Sequence, residues 1–110
     1  MRYKCSEPEK IRDIRELVIR ASRLYAEKIA FKELARDKQI VEYSYAQLER
    51  DRNALGAKLL DEGMQGYHIA LISENMIAWV LSYLTVVSGV GVVVPLDKEL
   101  LAENVAVLLR

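Results

Sequence analysis

The chain has almost no cysteine or histidine and no net charge, and each shortage removes a class of function. Cys5 is the single cysteine, so no internal disulfide can form and a reducing compartment is the default. His68 is the single histidine. Neither a His/Cys metal cluster nor a Ser-His-Asp arrangement is therefore supported, and His68 is read as structural. Sixteen Lys/Arg balance sixteen Asp/Glu, which gives no basic field for a nucleic-acid partner. Residues 1–38 hold eleven basic against seven acidic side chains, and residues 39–110 hold five against nine. Docking of the two parts on each other explains this asymmetry as well as an acidic partner does. The opening Met-Arg-Tyr-Lys-Cys-Ser-Glu-Pro lacks an apolar signal segment, which makes the cytoplasm the simplest address.

What the chain does have is an apolar centre, Gly66 to Asp97. His68 to Ile72 reads as a short strand buried on both faces, because a parallel strand covered by helices has no polar side to alternate. Ser73, Glu74 and Asn75 break the run. From Met76 to Val87 apolar residues recur too often for one stripe, which predicts a helix buried nearly all round and closed by Gly89. Gly91 to Leu96 is β-branched and bounded by Gly and Pro, as a second strand would be. Strand, helix and strand make a βαβ unit with parallel strands. No charged residue lies between Glu74 and Asp97, which also raises a membrane span. Against a span stand Gly89, Gly91 and Pro95 within the segment and the absence of a basic anchor at its acidic flanks.

Around this centre the pattern predicts a polar lead-in over 1–10, with Ser6 and Pro8 as start signals. An amphipathic helix follows, with Ile11, Ile14, Val18, Ala21 and Tyr25 inward and Leu17 and Leu24 widening the stripe. Its other face interleaves Arg12, Glu16, Arg20, Arg23 and Glu27 as a salt-bridged solvated surface. Lys28–Leu34 and Gln39–Tyr43 read as a β-hairpin around Arg36-Asp37-Lys38, without an Asn-Gly turn signal. Ser44 and Gln47 form a capping-box pattern opening a helix with Tyr45, Leu48, Leu55 and Leu59 inward. That helix ends at Gly63, with Gly56 permitting close packing. Asp97 is placed to cap a last helix carrying Leu100, Leu101, Val105, Leu108 and Leu109. The pattern is still running at Arg110, as it would be in a chain cut within a larger protein.

An ordered set of segments then becomes specific. Tyr45-Ala46-Gln47-Leu48, Ala54-Leu55-Gly56-Ala57-Lys58-Leu59-Leu60 with Gly63, Ile69-Ala70-Leu71-Ile72 with Asn75 and Trp79, and Gly91-Val92-Val93-Val94-Pro95-Leu96-Asp97 occur in this order. From about Leu17 onward the chain resembles the N-terminal region of the AMP-forming adenylating ligases, particularly acyl-CoA synthetases that activate fatty acids. Tyr67-His68 and Ala78 depart from the family's usual residues. The resemblance implies an α/β fold, a β-hairpin plus βαβ unit with flanking helices, forming the first part of a larger adenylate-forming domain. It implies ligation of a carboxylate to coenzyme A with ATP and magnesium in the whole parent enzyme, with a long-chain fatty acid as the expected acid. The family's Ser/Thr/Gly-rich phosphate loop ending in Lys has no counterpart among glycines 56, 63, 66, 89 and 91. Its acidic ATP-binding motif and catalytic lid lysine are missing too.

Residues 1–110 are therefore expected to form one partial domain, structural and inactive alone, with no catalytic, cofactor or metal residue of its own. The expected partners are the remainder of the parent chain and further copies of itself, with no integral membrane span. Asp61 and Glu62 are adjacent and point differently on a helix, a poor acid/base pair. Ser73, Glu74 and Asn75 fall where open α/β sheets bind ligands, although capping by Ser73 or Asn75 is the simpler reading. Trp79 and Tyr83 are read as core packing before a substrate pocket. A free-standing docking module, a small-ligand-binding protein and a membrane protein remain as alternatives.

Overall fold

A computed structural model describes residues 10–110. Cys5, Ser6 and Pro8 lie outside the described residues, as does the lead-in through residue 9. The first helix, α1 (Ile14–Leu24), starts at Asp13, whose carboxylate accepts the Glu16 amide at 2.8 Å. Glu16 reaches back to accept from the Arg12 amide at 2.9 Å and its guanidinium at 3.3 Å. The Arg12 amide bond holds the Glu16 carboxyl below its usual range. A local acidic cap, a signal the sequence reading passed over, thus begins the helix. Val18 and Ser22 are buried, whereas Ile11, Ile14, Leu17, Leu24 and Tyr25 of the expected inward stripe are exposed. The stripe is wider than the neighbours that cover it.

The hairpin joins β1 (Ile29–Leu34) to β2 (Ile40–Ser44) in antiparallel register, with Phe31 opposite Tyr43 and Leu34 opposite Ile40. Its turn does without Asn-Gly. The Lys38 amide donates to the Ala35 carbonyl at 2.9 Å, and Lys38 itself takes φ 66°. This is the longer hairpin loop in which a turn is followed by one left-handed residue. A bulge between Ile29 and Phe31 breaks their alternation, leaving Ile29 exposed and Phe31 half-buried.

Helix α2 (Tyr45–Asp61) has the expected capping box. The Gln47 amide donates to Ser44 Oγ at 3.1 Å, and the Ser44 amide donates to Gln47 Oε1 at 2.8 Å. At its far end Gly63, at φ 77°, closes a Schellman motif: the Gly63 amide donates to Leu60 O and the Met64 amide to Leu59 O. The Tyr43 hydroxyl donates to the Asp51 carboxylate at 2.5 Å and ties the hairpin to this helix. Burial first, then the bond to Asp51, pushes the Tyr43 phenol well above its ordinary pKa. Leu48 is buried inward as expected; buried Arg52 was not anticipated.

The centre is a βαβ unit. Strands β3 (His68–Ile72) and β4 (Val92–Leu96) pair in parallel, with His68 opposite Val92 and Ile72 opposite Leu96. Between them run α3 (Ile77–Thr85) and one wide π turn, Val86–Val90, where Gly89 at φ 130° ends the helical course. The Val92 amide donates to Tyr67 O at 2.9 Å and the Gly66 amide to Val90 O at 2.7 Å. A methyl on Gly91 would sit 2.3 Å from the Tyr67 carbonyl oxygen, so only glycine lets the backbones come this close.

Two expectations about burial were too strong. Ile69 and Leu71 of β3 are half-buried while His68, Ala70 and Ile72 are exposed, so the strand alternates. Most of α3 is half-buried rather than enclosed. The reason is common to both: the pair is only two strands wide, and among the described residues α3 and the π turn are what chiefly pack against it. The fully buried apolar side chains are Val18, Leu48, Val86 and Val90, gathered where α1, α2 and the π turn meet. Among the described residues no helix is long and apolar enough to cross a membrane.

The last helix, α4 (Ala102–Leu108), begins at Leu101 without a side-chain cap. Asp97 instead closes the preceding turn, accepting the Glu99 amide on Oδ1 at 2.9 Å and the Leu100 amide on its carbonyl at 3.1 Å. The spacing places it one turn too early for a cap. Of the helix's apolar residues only Val105 is half-buried.

Two glycines separate close packing from forced packing. Gly91→Ala should destabilise the chain by about 1–3 kcal/mol in denaturant unfolding, because the clash is with backbone. At Gly56 a methyl would meet Thr85 Cγ2 at 3.6 Å, an ordinary contact, so the close packing expected there has room to spare. Gly56→Ala should therefore stabilise by about 0.5–1 kcal/mol through helix propensity. Equal effects at the two sites would contradict this assignment.

Candidate functional site

Parallel strands bring their carboxyl ends to one edge, so whatever follows β3 must face whatever follows β4. Here Ser73, Glu74 and Asn75 meet Leu96, Asp97 and Lys98 across an open cleft of about 540 Å³, with Trp79 of α3 as a further wall. Ser73, Glu74, Asn75 and Trp79 were legible as candidates from the sequence. Lys98 was not, although a residue just beyond the second parallel strand had to lie at the same edge.

The cleft's chemistry is mostly self-satisfied. Lys98 Nζ lies 3.8 Å from both Glu74 Oε1 and Glu99 Oε1. These are exposed pairs of small energetic value. Ser73 Oγ donates to the Glu74 carbonyl at 2.8 Å. Two carboxylates, Glu74 and Asp97, thus line the cleft with one engaged ammonium group. A nucleotide triphosphate would meet net negative charge here, and no glycine-rich loop offers it backbone amides. The residues present do not fit ATP.

The cap of α3 comes from elsewhere in the chain. Met76 is the N-cap residue and has no side-chain bond, and neither Ser73 nor Asn75 supplies one. Instead the Glu33 carboxylate, on β1, accepts the Ile77 amide at 2.7 Å. A carboxylate at a helix start is favoured by the unpaired amides and the local dipole. No sequence signal could have found it, because the partners lie 44 residues apart.

The other candidates are scattered. Tyr83 stacks on Trp79, with ring centroids 5.4 Å apart, but does not line the cleft. His68 sits at the opposite, amino end of β3. Asp61 and Glu62 lie at the exposed end of α2, where Glu62 pairs with Lys58 at 2.8 Å. Among the described residues no three His, Cys, Asp or Glu side chains gather as a metal site.

A family model described as AMP-binding enzyme matches residues 19–110. No curated protein matches. Among solved structures, that of IdnL1 matches with a TM-score of 0.80 and 24% identity, covering 92% of this chain and 21% of that one. Acetoacetyl-CoA synthetase from Streptomyces lividans matches at 0.76 and 20% identity, over 84% of this chain and 15% of that one. The anthranilate CoA ligase AuaEII, solved with anthranoyl-AMP, matches at 0.76 and 20% identity, over 90% and 18%. At these identities the likeness is one of fold. The chain spans about a fifth of the length of such structures.

Because Glu33 is, among the described residues, the side chain that caps the start of α3, Glu33→Ala should cost about 1–2 kcal/mol of stability. Glu33→Gln keeps an acceptor and should recover part of it. Urea unfolding of both variants decides the matter: an unchanged Glu33→Ala would show the bond to be incidental.

Proposed function

The chain belongs to the AMP-binding enzyme family, and from that membership we propose that it forms the opening α/β scaffold of an ATP-dependent acid–thiol ligase. In the whole protein a carboxylate would displace pyrophosphate from ATP to give an acyl-adenylate, and the thiol of coenzyme A would then displace AMP. ATP, magnesium and coenzyme A are on this reading requirements of the whole protein, at an intracellular, cytoplasmic address.

The observation that carries the proposal is the family match over residues 19–110. A long-chain fatty acid is the proposed substrate, on the resemblance to fatty acid-activating synthetases. Matched structures named for acetoacetyl-CoA and anthranilate ligation indicate that one scaffold accompanies different acids. Selection among them falls to parts beyond this chain.

The scaffold alone should be inactive, since the cleft at the ends of β3 and β4 is acidic and its lysine is engaged. Incubated with ATP, magnesium, palmitate and labelled pyrophosphate, the chain should give no acid-dependent exchange into ATP. Exchange above the blank would contradict the scaffold role.

Its apolar faces support a second part of the proposal. Ile14, Leu17 and Leu24 on α1 and Leu101, Leu108 and Leu109 around α4 are exposed, as surface awaiting the remainder of the domain would be. Isolated, the chain should therefore self-associate. Sedimentation velocity over a concentration series should show mass rising with concentration, whereas a monomer throughout would count against it.

A further inference from the structure

Away from the cleft, α2 buries a cation that makes no ion pair among the described residues. Arg52 is only 7% exposed. Among the described residues its Nε has no hydrogen-bond acceptor, and no carboxylate forms an ion pair with it. Leaving a buried guanidinium without a bonded partner is costly, since its Nε–H has lost water and the nearby Glu49 carboxylate does not bond it. Burial lowers the Arg52 pKa from its ordinary value, Arg15 lowers it further, and Glu49, one turn back on α2, opposes both.

Arg52 lines a groove of about 410 Å³ between α1, α2 and the π turn. Arg15 of α1 lines it from the facing side, Asn53 adds an amide, and Ser88 and Gly89 form the rim. None of the lining residues is acidic. The groove thus presents two guanidinium groups, one of them desolvated, and no internal anion. Guanidinium forks match the spacing of oxygens in carboxylate and phosphate groups.

We propose that this groove binds a small oxyanion, a phosphate or carboxylate group, held between Arg15 and Arg52. Binding would give Arg52 the directly bonded anion that none of the described residues supplies. The site is separate from the β3–β4 cleft and does not depend on the ligase reading.

The test follows the arginine Nε–H resonances of the nitrogen-15-labelled chain during titration with inorganic phosphate and, separately, with acetate, at ionic strength fixed with chloride. The Arg52 resonance should shift saturably. Arg15→Ala alters an exposed side chain and should leave the rest of the spectrum in place, while weakening phosphate binding about tenfold through loss of one charge-assisted contact. Arg52→Lys keeps the charge but loses the fork, and should weaken it to a similar extent. Tighter binding of phosphate than acetate would point to a phosphate ester, and equal or tighter acetate to a carboxylate. A linear response no different from that to chloride, or full affinity in Arg15→Ala, would overturn the proposal.

Discussion

The carbonyl of Tyr67 occupies the place where a side chain at position 91 would begin. That approach lets the Val92 amide reach Tyr67 O and the Gly66 amide reach Val90 O, and so sets the register of the parallel pair. Parallel pairing forces a crossover. The segment from Ser73 to Val90 must therefore leave the edge of β3, run back as α3 and re-enter beside it. Its return through a π turn, rather than a clean helix end, brings Val86 and Val90 into contact with α1 and α2. The small core is a consequence of how this crossover comes home.

Everything else steadies the crossover from outside. The hairpin reaches its start through Glu33, and α2 is tied to the hairpin by the Ser44–Gln47 box and the Tyr43–Asp51 bond. The core so formed has four fully buried apolar side chains among the described residues, set beside buried Ser22, Arg52, Thr85 and Ser88. Such a core is thin for a chain this long. A thinly covered two-stranded pair, exposed apolar helix faces and an acidic cleft are consistent with part of an AMP-binding family fold. On the scaffold proposal the chain would supply shape, with the chemistry falling to other parts.

Local signals were legible in the residues, and contacts between distant ones were not. The capping box at Ser44, the stop at Gly63 and the βαβ centre could be read because each is decided within a few residues. Burial was overestimated in β3 and α3, since apolar composition reports what a segment can cover and not whether a covering layer is present. The bulge at Ile29 and the turn at Lys38 carry no distinctive residue type. Asp97 shows how a good capping residue serves the nearest turn instead of the next helix. At the cleft, Ser73 to Asn75 were found from the strand end, but Lys98 needed the pairing of β4 and Glu33 needed the tertiary fold. Arg52 carries no sequence signal of burial, because what buries it is tertiary packing.

The most direct measurement is native-state amide hydrogen exchange, resolved by residue, on the chain by itself. If the parallel pair organises the fold, the amides of Val92 and Gly66 should exchange in the slowest class, together with those in the middle of α2 around Leu48. Rapid exchange at Val92 and Gly66 beside a protected α2 would mean that the helices hold together without the β3–β4 pair, and the pair would lose its central place.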